Sequence, residues 1–561
     1  MTSLRRYAPF APLVATQMVL VLVAPSHGAS GGTQLGGQFQ GGPAAESGVT
    51  GGAGVSGSVG TGAPGTTGVP GATGTTTGAT GGGATGGTTG STSGAGGLAS
   101  GSTTGQKFCI TGLADHLPCV PKWAGGDNGG ATWPGVTANK VTILMYRAKA
   151  NAAVDAILRK SGNYTDPSVE QQMVRVVNDW INKHFQLYNR KLDIKWVQGS
   201  CDIAPPDDSC FRGDADNLVS SYHPYAVFWD SDTNEPAFFD ELARKGVVSW
   251  GGWAFTDKFD QSLRPYHYDL LMGGDTQAEI VGRWYCQRLA NQKARFAGDA
   301  TLKGTLRKVA VIHPDVATVN PSAQLLESII KKCDKNGAMD APYDSNTSTA
   351  AQQSTTNTAK YKSAGVTSLI WFSDLIAPAY ATAAQSAQNW YPEEIIAGEG
   401  LLDYDSLAQN YDQTEWAHAF GPSDLANSTL ISKTDAGLIW KAEGQSGNPD
   451  PNSNLLTSYA LSVAGGIQAA GPKLTPLTYE YGMLTMPGYN SWAQWHDPSL
   501  TYVKYGKGDY TGISDIREVY WDPNKTSPTN GQQGAYVPLN GGRRYQINDI
   551  PSGEPALPPS V

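Results

Sequence analysis

The chain has 561 residues, too many for one ordinary domain, and a formal net charge of −9. Its basic residues are scattered, the longest cluster being Arg543-Arg544 near the end, so nothing points to nucleic acid or another polyanion as partner. Composition is uneven along the chain, and that unevenness sets the domain plan.

Residues 1–29 read as an export signal. Arg5 and Arg6 precede an uncharged run from Tyr7 to Ala24, and small residues follow at Ser26, Gly28 and Ala29. No cysteine stands there to carry a lipid anchor, and the run approaches bilayer-spanning length, so cleavage and retention as a signal anchor both stay open. The expected location is secreted or cell-surface. Residues 30–106 are a tether: Gly31 to Gln106 holds 29 glycines, one charge (Glu46) and one aromatic (Phe39), too little to form a core. As a coil it spans roughly 50 Å on average.

Residues 107–140 are expected to be an irregular lead-in. Val141-Thr142-Ile143-Leu144-Met145-Tyr146 is the first convincing strand, followed by a helix with Met173, Val177, Ile181, Phe185 and Tyr188 on one side. Leu192, Ile194 and Trp196 alternate with Asp193 and Lys195, as on a half-exposed edge strand. Tyr225-Ala226-Val227-Phe228-Trp229 is a buried strand ending at Asp230-Ser231-Asp232-Thr233. A helix through Phe238 and Leu242 leads to the strand around Val247-Val248-Ser249-Trp250, stopped by Gly251-Gly252. Thr276-Gln277-Ala278-Glu279 predicts a capping box opening the next helix. Val309-Ala310-Val311-Ile312, a helix through Leu325 to Cys333, and Leu369-Ile370-Trp371-Phe372 continue the alternation, and a further strand is expected at 394. Alternating elements with continuous apolar strands mean α/β architecture with parallel sheets covered on both faces. Ligands of such sheets lie beyond the carboxyl ends of the strands. Later, a helix is legible from Leu455 to Ala470, and the last residues read as hairpins with turns at Asp522-Pro523-Asn524 and Asn540-Gly541-Gly542.

The six cysteines, even in number in an exported chain, suggest three disulfides. Pairing in chain order gives Cys109–Cys119, Cys201–Cys210 and Cys286–Cys333, the simplest of fifteen connectivities. No Cys-x2-Cys or clustered histidine supports zinc, and no cofactor is expected. The folded part has no Gly-x-Ser-x-Gly elbow, phosphate loop or His-Glu-x2-His helix, so no catalytic residue is assigned. Asp230 and Asp232 are not assigned as paired acids, since glycoside hydrolysis needs two carboxyls facing one bond and nothing in the sequence sets that geometry. His313 reads as a structural histidine.

Gly246-Val247-Val248-Ser249, Pro265-Tyr266-His267-Tyr268 with Asp275-Thr276-Gln277-Ala278, Arg307-Lys308-Val309-Ala310-Val311-Ile312-His313, Ile395-Ile396-Ala397-Gly398-Glu399-Gly400, Val519-Tyr520-Trp521-Asp522-Pro523-Asn524 and Gly534-Ala535-Tyr536-Val537 together resemble the type I periplasmic-binding fold of the branched-chain amino-acid-binding proteins. The resemblance covers about residues 141–550 and rests on the order of these strings, none specific alone. It implies two Rossmann-like lobes joined by a three-segment hinge, with lobe 1 from 141–264 and 426–510, lobe 2 from 265–425, and closing hairpins and tail at 511–561. It also implies a small solute, polar or aromatic-containing and amino-acid-like in the relatives, held in an interlobe cleft and delivered to an ABC-type permease, or else a surface-tethered sensory or adhesion module on the same scaffold. Oligomeric state is not readable. Carried over, Ser231 and Thr233 hold a ligand carboxylate, with Asp232 beside them, and Glu399 or Asp374 meets an ammonium. Trp253, Ala254, Asp315 and Ser373 complete the expected strand-end site. Asp230 and Asp232 beside Ser231 depart from the family pattern, as does Trp253 where relatives carry small residues.

Overall fold

The structure is a computed structural model that describes residues 103–160, 162, 164–203, 207–229, 235–398, 401–489 and 500–558. The export signal and nearly all of the tether, up to residue 102, lie outside the described residues, as do Ser231, Asp232, Thr233 and Glu399.

The lead-in is more ordered than expected. Strands β1 (Thr103–Phe108) and β2 (Val120–Trp123) form an antiparallel pair, and Cys109–Cys119 closes the loop between them. A five-stranded sheet follows, made of β3 (Lys140–Lys149), β4 (Lys191–Asp202), β5 (Ala226–Trp229), β6 (Val248–Trp250) and β7 (His267–Tyr268). The order is β4-β3-β5-β6-β7, all parallel, so β4 is the edge that its half-exposed pattern announced.

Alternation along β3 and β5 explains both covered faces. Ile143, Met145, Ala226 and Phe228 enter one core, while Leu144, Tyr146, Val227 and Trp229 enter another. Helix α1 (Pro167–His184) stops before Phe185, so Tyr188, expected on it, lies beyond the helix with φ 56°. Helices α2 (Asp208–Tyr222) and α3 (Pro236–Arg244) cover the other face, and Cys201–Cys210 ties β4 to α2.

Helix α4 (Gly274–Arg288) begins two residues before the expected capping box, with Gly273 as N-cap. Tertiary contacts set that start. Asp275 accepts from the Asp257 N–H at 3.0 Å and from Ser322 Oγ at 2.7 Å, which anchors the first turn. The second sheet contains β8 (Val309–Pro314), β9 (Ala338–Tyr343), β10 (Ser368–Trp371), β11 (Glu393–Ile396), β12 (Ala419–Ser423), β13 (Asp515–Thr526), β14 (Gln533–Pro538) and β15 (Arg544–Gln546). β9-β8-β10-β11-β12 are parallel, whereas β13, β14 and β15 join antiparallel at the β12 edge. The expected turn at Asp522-Pro523-Asn524 is instead part of β13. The register shifts between Asp522 and Thr526, where Pro523 has no N–H to give the ladder.

Helix α5 (Asn320–Cys333) packs beside α4, and Cys286–Cys333 joins the two. Helices α6 (Ala350–Ser363) and α7 (Ala377–Ala387) lie side by side, each lining a cavity over the opposite face. After β12 the chain returns to the first sheet: α8 (Ser453–Ala470) packs on α1 and β5. Segments near 269–272, 424–430 and 510–514 therefore run between the sheets. The first and third are stitched together by Asp269 N–H donating to Tyr510 O (3.0 Å) and Ile513 N–H to Leu270 O (3.1 Å). No described helix is long and apolar enough to cross a membrane.

Candidate functional site

The parallel strands of both sheets end on loops rich in glycine and polar residues, and chain geometry forces several of these residues. Gly251 and Gly252 have φ of 109° and 128°, and a Cβ at 251 would stand 2.4 Å from the Trp229 carbonyl oxygen. Only glycine lets the loop after β6 cross the end of β5 so closely. The loop then carries Trp253 and Ala254 inward, 5% and 3% exposed, into the core that runs between the two sheets. Ala254 has φ 53°, and its carbonyl sits 2.4 Å from where a Cβ at Gly274 would project. The first sheet's rim thus touches the first turn of α4, on the second lobe.

Other tryptophans at these strand ends are packing residues. Trp229 meets Tyr146, Phe211 and Phe238, and Trp250 stacks on Tyr268 while donating through Nε1 to Tyr479 Oη at 2.9 Å. Trp371 lies against Trp416.

On the second rim, Asp315 is exposed and accepts from Asn320 Nδ2 at 2.9 Å. Ser373 is fully buried, and its Oγ donates to the Asp374 carbonyl at 3.3 Å. Asp374 accepts from the N–H groups of Ile376 and Ala377 at the start of α7, and from Tyr343 Oη at 2.5 Å. Both its oxygens are engaged within the second lobe, as in a helix cap. Among the expected site residues, the structure brings Trp253 with Ala254 and Ser373 with Asp374 into neighbouring positions. Asp315 stands apart on the surface, with its N–H donating to Tyr343 O at 2.8 Å.

A polar corner that the sequence reading did not single out lies at the ends of β11 and β12. Gly398, with φ 78°, is so enclosed that a Cβ there would lie 3.0 Å from Gln277 Nε2 and 3.2 Å from Asp424 Oδ1. Gln277 is fully buried and both its amide atoms lack a hydrogen-bond partner, as does Asp424 Oδ1. Nearby, Asp403 accepts from Ser423 Oγ at 2.5 Å through Oδ2 but leaves Oδ1 unpaired. Burial, then the neighbouring Asp403, pushes the Asp424 carboxyl well above the ordinary range, and burial likewise raises Asp403. Burial pulls Arg517 down to about 10 despite these acids. Orphaned buried polar groups each cost about 1–3 kcal/mol and concentrate where a ligand or water is received. Chemically, the corner offers an amide and a carboxyl that becomes charged on meeting a cation. Glu399 follows Gly398 directly in sequence. An acid ending the short strand Ala419–Ser423 was the available signal for Asp424; nothing local marked Gln277.

A separate cavity of about 650 Å³, counting its open mouth, lies between α6, α7 and the sheet. Tyr343, Tyr361, Trp371, Tyr380 and Asp374 line it. It exists because α6 buries only Thr358 and Tyr361 and cannot fill the space above β8 and β10.

No protein-family model matches the chain, and no curated protein matches it in sequence. Solved structures do match. A leucine-, isoleucine-, valine-, threonine- and alanine-binding protein from Brucella ovis, in a closed conformation, superposes with a TM-score of 0.51 at 12% identity, covering 75% of this chain and 99% of its own. A periplasmic binding protein type 1 from Bordetella pertussis gives 0.50 at 12% identity, covering 72% and 100%. With two α/β sheets joined by three crossing segments and closed by an antiparallel hairpin at one edge, this chain has the type I periplasmic-binding fold.

Proposed function

We propose that the chain is an extracytoplasmic solute-binding protein that encloses a small, polar, amino-acid-like ligand between its lobes for ABC-type uptake. The observation that carries this is the unpaired set Gln277 and Asp424 beside Gly398, buried at the carboxyl edge of the second sheet. A ligand ammonium or amide would satisfy Asp424 and Gln277, with Glu399 adjacent. Trp253 and Ala254 would supply the opposing wall, with Ser231 and Thr233 receiving a carboxylate and Asp232 beside them. The Brucella ovis protein, by its name, binds small aliphatic amino acids, which supports that ligand class. The reading contains no catalytic step and no cofactor. Export through residues 1–29 and spacing by residues 30–106 belong to the same proposal. That long tether equally suits a second role, a surface-held sensor or adhesion module without a permease.

A thermal-shift screen of the full chain against amino acids, amides, sugars and aromatic acids tests the reading. A ligand present at 100 times its Kd stabilises the native state by about 2.7 kcal/mol. Trp253→Ala, Glu399→Ala and Asp424→Asn should each weaken a hit at least tenfold without unfolding the protein. Unchanged affinity in all three would remove the site from the interlobe rims. A panel without any hit would favour the sensor or adhesion role.

A further inference from the structure

We propose that His313, Glu327 and Asp340 bind one divalent transition-metal ion, of the zinc, cobalt or manganese class, on the second lobe. The three residues come from the end of β8, the middle of α5 and β9, and one ligand atom from each lies within 4.8 Å of the others. His313 is 4% exposed, and its Nδ1 stands 3.0 Å from the Pro314 carbonyl oxygen while Nε2 stands 2.9 Å from Asp340 Oδ1.

Donor and acceptor chemistry makes this arrangement incomplete. A carbonyl oxygen only accepts, so Nδ1 carries the ring proton, and in the neutral ring Nε2 presents a lone pair to a carboxylate oxygen that also only accepts. Two acceptors at that separation need either a bridging proton or a metal ion between them. A backbone carbonyl holding the far nitrogen is the anchorage that orients metal-ligating histidines. Glu327 adds a second demand. Its Oε1 is buried without a hydrogen-bond partner. Among the described residues, neither Glu327 nor Asp340 is paired with a lysine or arginine; their only ion pair is His313 with Asp340.

One imidazole nitrogen and two carboxylate oxygens suit borderline divalent ions. Metal–ligand bonds of about 2.0–2.2 Å put tetrahedral ligand atoms about 3.4 Å apart, so the wider pairs must close by about an ångström on binding. Rotation of the half-buried Glu327 side chain supplies that movement. The Asp340 side chain is 61% exposed, which leaves coordination positions open to water. A search for Cys-x2-Cys or neighbouring histidines passes over this site because its ligands lie on three separate elements.

The test uses the full chain with its disulfides intact, free of any affinity tag and stripped with EDTA. ZnCl2 and MnCl2 are titrated by calorimetry and CoCl2 by visible absorption. The expected result is one equivalent bound and d–d bands from cobalt, with His313→Ala and Glu327→Gln each weakening zinc at least tenfold. The thermal midpoint should rise with zinc in the parent chain and in neither variant. Absence of saturable one-to-one binding, or affinity equal to the parent's in both variants, overturns the proposal and leaves a proton-bridged cluster. If His313→Ala fails to fold, Glu327→Gln, which keeps side-chain shape, decides alone.

Discussion

Two buried polar groupings at opposite ends of the second sheet, the Arg307–Glu393 clasp and the Gln277–Asp424 corner, are satisfied to opposite degrees. At the amino end, Arg307 and Glu393 are both fully buried and matched in two bonds, Nε to Oε2 at 2.8 Å and Nη2 to Oε1 at 3.0 Å. Ser368 Oγ and the Phe296 N–H also donate to Glu393, and Arg307 Nη1 donates to the Leu289 carbonyl. At the carboxyl end, Gln277 has no partner and Asp424 and Asp403 each keep an idle oxygen. Equal burial with unequal satisfaction separates a clasp built for stability from a corner left ready for something else, although Glu394 and Glu415 near the amino end also keep unpaired oxygens. In an open α/β sheet the corner's end is the one where ligands bind.

The largest effect should come from the satisfied end. Arg307→Ala strands the Glu393 charge in the core, and breaking such a pair costs about 3–5 kcal/mol. Urea unfolding would read this as a lower midpoint, with ligand affinity of the remaining folded protein unchanged; a loss under about 1 kcal/mol would mean that the pair is not the clasp its geometry suggests. Next, Gly398→Ala places a side chain at φ 78° and within 3.0–3.2 Å of Gln277 and Asp424. Left-handed backbone costs a non-glycine residue about 1–2 kcal/mol, and the same change should reduce ligand affinity because it fills the corner. A variant that loses stability yet binds normally would move the ligand away from Gly398.

Gln277→Leu reverses the sign. Replacing an unsatisfied buried amide by an apolar side chain of similar size should stabilise the free protein by about 1 kcal/mol while weakening the ligand at least tenfold. Chemical denaturation without ligand, followed by calorimetry with it, separates the two effects. Destabilisation in the free protein would show that the amide is satisfied in solution, by water, and would weaken the contrast between the two ends.

Much of this fold was readable because it is local. Ala226–Trp229, Val309–Ile312 and Leu369–Trp371 are apolar without interruption, Val141–Tyr146 is broken only by Thr142, and each is a central strand. The cysteine order also gave the observed pairings, since two pairs close short loops and the third joins packed helices. Strand β9, Ala-Met-Asp-Ala-Pro-Tyr, escaped notice because a proline and an aspartate break its pattern, which an edge position tolerates. Helix α6 escaped because Gln352 to Thr358 carries no apolar stripe. The site was harder. Gln277 and Asp424 meet only through tertiary folding, and no spacing rule links residues on a helix and a distant strand end. What the sequence did mark was the glycine at 398, where a Cβ would press on both.

A pH slope is also expected at the residue beside the clasp. Glu393 and Glu394 are neighbours on β11 and face opposite sides of the sheet, so one meets Arg307 and the other meets no cation. Glu394 is fully buried, accepts from Trp371 Nε1 at 2.5 Å, and leaves Oε1 unpaired. Burial raises its carboxyl to about 8. In the unfolded chain it titrates near 4.3. Between these values the folded state holds a proton that the unfolded state has released, so stability is fully present at low pH and falls as pH rises towards 8. One such group contributes a slope of at most about 1.4 kcal/mol per pH unit. Glu394→Gln cannot ionise and keeps the shape of the acid, so its melting temperature should fall less than the parent's between pH 5 and 8. Parallel profiles would mean that Glu394 finds a counter-charge in solution, and the two faces of the strand would then differ less than their partners imply.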